Sequence, residues 1–167
     1  HTGKTVTFSK TDMKKWGVDK VLIASSSIPL ISRPVTIGEE LYFDGGVSDS
    51  IPVKYALQKH DKAVVILTRP WGYRKEEIKQ KIVFEMAFRK NPQFLKTLLA
   101  RNKSYNQTLD YCEMMLRQGR LFILAPSPEY RVGRTEKSLS LREALYNHGY
   151  ELMRQEFKKL NQFLEIA

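Results

Sequence analysis

Apolar residues fall into short clustered runs over the first 67 positions and into helical spacing over most of the rest of the chain. Thr5 to Phe8 alternates and predicts a half-buried strand, closed by the turn-forming group Ser9-Lys10-Thr11-Asp12. Val18, Val21, Leu22 and Ser25 have the i, i+3, i+4, i+7 spacing of a helix, while Val21-Leu22-Ile23-Ala24 also fits a short buried strand. A helix stopped by Pro29 is the preferred reading. Pro34 to Ile37 and Leu41 to Phe43, around Gly38-Glu39-Glu40, predict a hairpin. Pro52 suits the first turn of a helix carrying Val53, Ala56 and Leu57, which Lys59-His60-Asp61 ends. The uninterrupted run Ala63-Val64-Val65-Ile66-Leu67 is expected as a strand buried on both faces, as in a helix-covered parallel sheet. Strand, helix and strand over 41–67 would then form a right-handed βαβ unit.

From Glu76 to Leu116 the pattern is helical. Ile78, Ile82, Val83 and Met86 share one face, and Asn91-Pro92 breaks and restarts the helix. Phe94, Leu95, Leu98 and Leu99, then Tyr105, Leu109, Cys112 and Leu116, continue the spacing to a stop at Gly119. Such aromatic and aliphatic faces are core positions first. Leu121-Phe122-Ile123-Leu124 reads as a buried strand halted by Pro126 and Pro128. Ser140 with Glu143 has the spacing of a capping box ahead of a long amphipathic helix through Leu164, with His148 on its apolar face.

This patterning makes the chain foldable, and 42% hydrophobic content over 167 residues is enough for one domain with a real core. No apolar run approaches the roughly 18 residues of a membrane-spanning helix. The sole cysteine, Cys112, excludes an intrachain disulfide and makes a cysteine-based metal site improbable. The formal charge of +10 favours anionic encounter partners. It is concentrated between Arg69 and Lys103, where ten basic residues face three acidic ones. No arginine-rich run or aromatic-basic RNA-binding motif accompanies them, so a solvated helical face accounts for the cluster and nucleic acid is an unfavoured partner.

Chemistry has one focus. Leu41-Tyr42-Phe43-Asp44-Gly45-Gly46-Val47 carries an apolar strand into an isolated carboxylate and a glycine pair. Glycines able to adopt positive φ would turn the chain sharply and hold Asp44 at the rim of the sheet, although an ordinary strand-ending turn explains the triplet equally well. In a βαβ unit Asp44 would lie at the ligand-bearing carboxyl edge and His60 at the opposite one, which disfavours an Asp44-His60 pair. Ser25-Ser26-Ser27 is read as helix-end polarity that permits close backbone packing. No serine sits in a G-x-S-x-G elbow, and no phosphate loop, dinucleotide fingerprint or H-E-x-x-H motif is present, so no cofactor and no metal are expected.

In order, Ala24-Ser25-Ser26-Ser27-Ile28-Pro29, Pro34-Val35, Tyr42-Phe43-Asp44-Gly45-Gly46-Val47 and Ile51-Pro52-Val53 resemble the second half of a patatin-like phospholipase domain. Thr2-Gly3-Lys4 resembles the strand entry that precedes this series, and Gly119 to Pro126, Gly133-Arg134-Thr135-Glu136 and Tyr146-Asn147-His148-Gly149-Tyr150 are similar to the tail of bacterial, cytosol-type members. The resemblance implies a three-layer α/β sandwich with a parallel-rich sheet flanked by helices, incomplete here because its N-terminal strands are absent. It also implies a serine acyl ester hydrolase working through a Ser-Asp dyad. Asp44 would be the dyad aspartate, Gly45 and Gly46 its motif support, and the nucleophilic serine would lie upstream of His1.

On this resemblance the chain is expected to be the C-terminal portion of one domain, with a β-rich part at 1–70, a helical basic region at 71–119 and a last strand and helix at 120–167. Alone it should have no esterase activity. The expected substrate is a lipid or small acyl ester, met in the cytoplasm or at an anionic membrane surface. Missing strands would leave a sheet edge that a retained N-terminal segment or a homodimer partner covers. The alternative is a non-catalytic domain of hydrolase-like fold that binds anionic lipid or nucleic acid through its basic helical region.

Overall fold

The computed structural model describes residues 2–130, 132–133 and 136–165. Two compact units emerge, His1–Pro52 with Lys75–Thr108, and Val53–Arg74 with Leu109–Ala167. Arg134 and Thr135, within one of the segments that resemble cytosol-type members, lie outside the described residues.

The first unit begins with an irregular segment rather than the expected strand. Thr5, Val6 and Thr7 are all exposed and no ladder partner reaches them among the described residues, so alternation alone does not make a strand. The group Ser9 to Asp12 starts a helix instead of a turn. Helix α1 (Lys10–Trp16) opens on a reciprocal cap, in which Ser9 Oγ accepts from Asp12 N–H at 3.2 Å and Asp12 Oδ2 accepts from Ser9 N–H at 2.8 Å. Gly17, at φ +90°, separates α1 from α2 (Val18–Ser25), the helix preferred from periodicity. The expected hairpin is present as antiparallel β1 (Val35–Ile37) and β2 (Glu40–Tyr42). Ile37 pairs with Glu40, and Gly38 supplies the positive φ that a two-residue turn needs. Val21, Ala24 and Ile37 form a small core against which Phe8, Met13, Trp16, Val35 and Tyr42 pack.

After the hairpin the chain runs through α3 (Val53–Lys59), which belongs to the second unit, before it returns to the first. Helix α4 (Lys81–Phe88) is shorter than predicted and Ile78 stands outside it. Ile82, Val83 and Met86 share a face as expected, but that face is exposed rather than core. Helix α5 (Pro92–Arg117) restarts at the predicted proline. Its residues up to Thr108 belong to the first unit, where Leu98 is fully buried. Segment 75–76 is pinned to this helix. Lys75 N–H donates to Asn106 Oδ1 at 2.9 Å, Asn106 Nδ2 returns a bond to Lys75 O at 2.9 Å, and Asn102 Nδ2 donates to Glu76 O at 2.6 Å.

The second unit is built on a two-stranded parallel sheet of β3 (Ala63–Ile66) and β4 (Leu121–Leu124), with Val65 opposite Ile123. The βαβ unit expected over 41–67 is not formed, because β2 pairs with β1 and β3 pairs with β4. A two-residue turn closes the β1–β2 ladder at low entropic cost, whereas β3 takes a distant partner of matching hydrophobicity. Nor is β3 buried on both faces: Val65 is 8% exposed and Ile66 is 74% exposed. Helix α3 packs on β3. Arg120 ties its end to β4, donating to Asp61 O at 2.9 Å and Leu57 O at 3.3 Å. Gly119 ends α5 as predicted, at φ +69°, with Arg120 N–H bonded to Met115 O at 3.0 Å. Helix α6 (Leu139–Leu164) is capped by Ser138, not by the predicted Ser140, and has no fully buried residue. It packs on β4, with the Phe122 and Phe163 rings 5.7 Å apart.

The observed architecture is thus mixed α/β with small sheets. A three-layer sandwich is not displayed by the described residues.

Candidate active site

Asp44 follows the hairpin after one residue, and three local features fix it. Its N–H donates to the carbonyl of Ser27 at 2.9 Å. Ser27 is itself buried at the end of α2, where its hydroxyl satisfies Ile23 O at 2.8 Å. Ser26 does the same for Leu22 O at 3.0 Å. The serine triplet therefore terminates the helix and lets the hairpin exit pass close by, the role read from sequence.

The second feature is the carboxylate itself. Asp44 caps the single 3₁₀ turn Gly45–Val47, its Oδ1 accepting from Gly46 N–H at 2.6 Å. A carboxylate taking a backbone N–H in this way is oriented by a charge-assisted bond. The turn is anchored underneath by buried Val47 and closed by Ser50 Oγ, which donates to Gly46 O at 2.8 Å. Among the described residues no lysine or arginine forms an ion pair with Asp44 and no second donor reaches it.

The glycine pair works differently from the sequence expectation. Neither Gly45 nor Gly46 has positive φ. At Gly46 the requirement is steric, since a Cβ would stand 2.9 Å from Asp44 Oδ1. At Gly45 nothing lies within 4 Å of that position. Gly46 is thus the residue that lets the backbone approach the carboxylate, and Gly45 is not.

Third, Asp44 lines a cavity of about 850 Å³, formed within the first unit. Phe43, Phe88 and Phe94 supply an aromatic part of its wall, with Phe43 stacked on Phe94 at 5.1 Å and Phe88 edge-on to both. Ser48 and Asp49 add polar groups beside Asp44. The 2–8 segment forms another side, held by a bond from Thr5 Oγ1 to Ser48 Oγ at 2.8 Å. A cavity of this size with an apolar wall and a few convergent polar groups is of the kind that takes an organic ligand. The Phe88 and Phe94 contribution went unread in the sequence because helical spacing marks them only as apolar. Their signal is the neighbouring Phe43.

His60, Cys112 and His148 belong to the second unit, Asp44 to the first. His60 is exposed at the end of α3, in the other unit from Asp44. The carboxyl-edge topology invoked against an Asp44-His60 pair does not hold, since β2 and β3 are in different sheets. His148 is a packed residue as expected, stacked 4.0 Å from the Tyr130 ring with Nε2 accepting from Ser127 N–H at 3.0 Å. Cys112 is fully buried and free, and burial pushes its thiol pKa up. Four of the ten basic residues of 69–103 have local partners. Arg74 pairs with Asp110 at 2.8 Å, Lys79 with Glu76 and Lys81 with Glu85 at 3.7 Å each, and Arg69 donates to Val132 O at 2.7 Å.

Residues 1–57 match the family model of patatin-like phospholipase. This N-terminal part is patatin-like, and it contains the serine triplet, the hairpin, Asp44-Gly45-Gly46 and Pro52. Residues 91–165 match a domain of unknown function (DUF6363), which takes in α5, β4 and α6. No curated protein and no solved structure matches the chain. Among the described residues no helix is long and apolar enough to cross a membrane.

Proposed function

We propose that the chain is part of a serine acyl ester hydrolase acting on lipid or small acyl esters through a Ser-Asp dyad. Asp44 is the dyad carboxylate, and the nucleophilic serine is supplied by sequence outside these 167 residues. The observation that carries the reading is the oriented Asp44 carboxylate on an apolar-walled cavity, inside the segment that matches patatin-like phospholipases. Chemically, a carboxylate held by one backbone donor keeps acceptor capacity for a hydroxyl. It can orient a serine and take its proton as the oxygen attacks an acyl carbonyl, and no histidine is needed.

In this reading Gly46 supports Asp44 by giving up its side chain. Gly45 does not share that steric role. The strands completing a three-layer sandwich lie outside the described residues, and the open edge of β3 receives a retained N-terminal segment or a second copy. The setting is cytoplasmic or membrane-peripheral.

The test is Asp44→Asn and Asp44→Ala in the full-length polypeptide, assayed on a short-chain p-nitrophenyl ester. Loss of at least about 100-fold in kcat, with circular dichroism unchanged, is expected, as for a proton-transfer partner. Full turnover in a folded Asp44 variant removes the proposal. A chain limited to residues 1–167 should show no turnover, and esterase activity there would place the nucleophile elsewhere than proposed.

A further inference from the structure

One face of α4 is an unexplained feature of the first unit. Ile82 is 71% exposed and Met86 73%, with Val83 beside them at 51%, on a helix of eight residues none of which is buried. The opposite face is not idle. Phe88 packs edge-on to Phe43 and Phe94 at 5.8 and 5.0 Å, and Ala87 and Phe88 both line the Asp44 cavity. The helix therefore presents an apolar side to solvent while its last turn is part of the cavity wall.

Basic residues flank that helix in the sequence. From Lys79 to Lys96 there are five basic residues, Lys79, Lys81, Arg89, Lys90 and Lys96, against the single acid Glu85. All five are exposed. Arg89, Lys90 and Lys96 form no ion pair among the described residues, while Lys79 and Lys81 hold only exposed pairs at 3.7 Å. Exposed pairs of that length are worth little and yield readily to a competing anion. Large exposed apolar side chains with exposed cations nearby in sequence, three of them outside any ion pair among the described residues, match the two demands of a bilayer surface, an acyl boundary to enter and anionic headgroups to neutralise.

We infer that α4 is a docking element for an anionic lipid bilayer, seating the Asp44 cavity at the membrane surface so that acyl chains enter past Phe88. The docking stands on α4 alone, and the supply of substrate rests on the proposed hydrolase activity. A nucleic acid would use the same cations and leave Ile82, Val83 and Met86 without a role.

The experiment is sedimentation of the full-length polypeptide with vesicles of phosphatidylcholine containing about 30 mol% phosphatidylglycerol, compared with pure phosphatidylcholine. It is run with the Asp44→Asn variant as well as the parent, so that binding is read without turnover and survives failure of the dyad. Expected are binding to the anionic vesicles only, weakening steeply with added salt, and equal binding by Asp44→Asn. Arg89→Gln with Lys90→Gln should weaken it roughly 25-fold, at about fivefold per basic residue. Ile82→Ser with Met86→Ser should weaken it about tenfold or more. Both pairs alter exposed side chains, and circular dichroism checks that they fold. No binding to anionic vesicles at low salt overturns the inference. So does binding that ignores both variant pairs, or an oligonucleotide that binds as tightly and is indifferent to Ile82→Ser with Met86→Ser.

Discussion

Substituting the two glycines after Asp44 one at a time separates a steric support from a bystander. In Gly46→Ala the new Cβ would stand 2.9 Å from Asp44 Oδ1, roughly half an ångström inside an ordinary carbon-oxygen contact. The backbone of Asp44 cannot retreat easily, because its N–H is held by Ser27 O at 2.9 Å. Relief must come from rotation of the carboxylate, which breaks the 2.6 Å bond to Gly46 N–H. Losing a charge-assisted bond to a half-buried donor costs about 1.5–3 kcal/mol, and replacing glycine by alanine returns about 0.4–1 kcal/mol through the unfolded chain. The net is a destabilisation of about 0.5–2.6 kcal/mol. Gly45→Ala meets nothing within 4 Å and requires no positive φ, so only the favourable part remains. Thermal unfolding should therefore separate the two variants by roughly 3–12 °C, with Gly46→Ala the lower. In an Asp44→Ala background the penalty at Gly46 should vanish, because the group it collides with is gone. Equal shifts for the two glycines, or an unchanged Gly46→Ala penalty without Asp44, would refute the steric account.

Three other outcomes are expected. Leu98→Ala should cost about 2–5 kcal/mol in chemical denaturation, since Leu98 is fully buried, whereas Ile82→Ala, on an exposed side chain, should change stability by less than about 0.5 kcal/mol. Cys112 should resist iodoacetamide in the native protein near pH 8 and react at once in denaturant. Burial raises its thiol above the ordinary 9.0, so the stabilising neutral form is fully present below that value and the contribution is lost as pH rises through the folded one. Rapid native alkylation would contradict that burial. For Asp12, hydrogen bonds first from the Ser9 hydroxyl and then from the Ser9 backbone lower the carboxyl below its ordinary 3.8. The α1 cap is therefore intact above that value and lost as pH falls through the lower folded one. An NMR titration of Asp12 should shift upward in Ser9→Ala, and no shift would show the box to be unimportant.

Local pattern carried much of the secondary structure. Helix α2, the β1–β2 hairpin, the break at Asn91-Pro92 and the stop at Gly119 are all dictated by residues within a few positions of one another, and the apolar run Leu121–Leu124 was legible as a strand although its partner β3 is distant. The misses have both local and tertiary causes. Ser9-Lys10-Thr11-Asp12 has both turn and capping-box chemistry, and the box won because Asp12 returns a bond to the Ser9 backbone. Thr5 to Phe8 has strand alternation but no ladder partner among the described residues. The α4 face was legible as apolar, yet apolar periodicity records which residues share a side and not whether anything covers it.

For the site, sequence alone determined the order of its parts: a serine-rich helix end, a hairpin, a carboxylate and a glycine pair, in a segment of patatin-like sequence. Tertiary structure decided what those parts do for one another. Strand partnership could not be read from hydrophobicity, because Leu41 to Phe43 and Ala63 to Leu67 are both apolar and either could join a parallel sheet. Likewise the need for Gly46 and not Gly45 depends on where one carboxylate oxygen comes to rest, 2.6 Å from a backbone nitrogen. Composition fixes which contacts are chemically available, and only the packed chain fixes which atoms are close enough to make them.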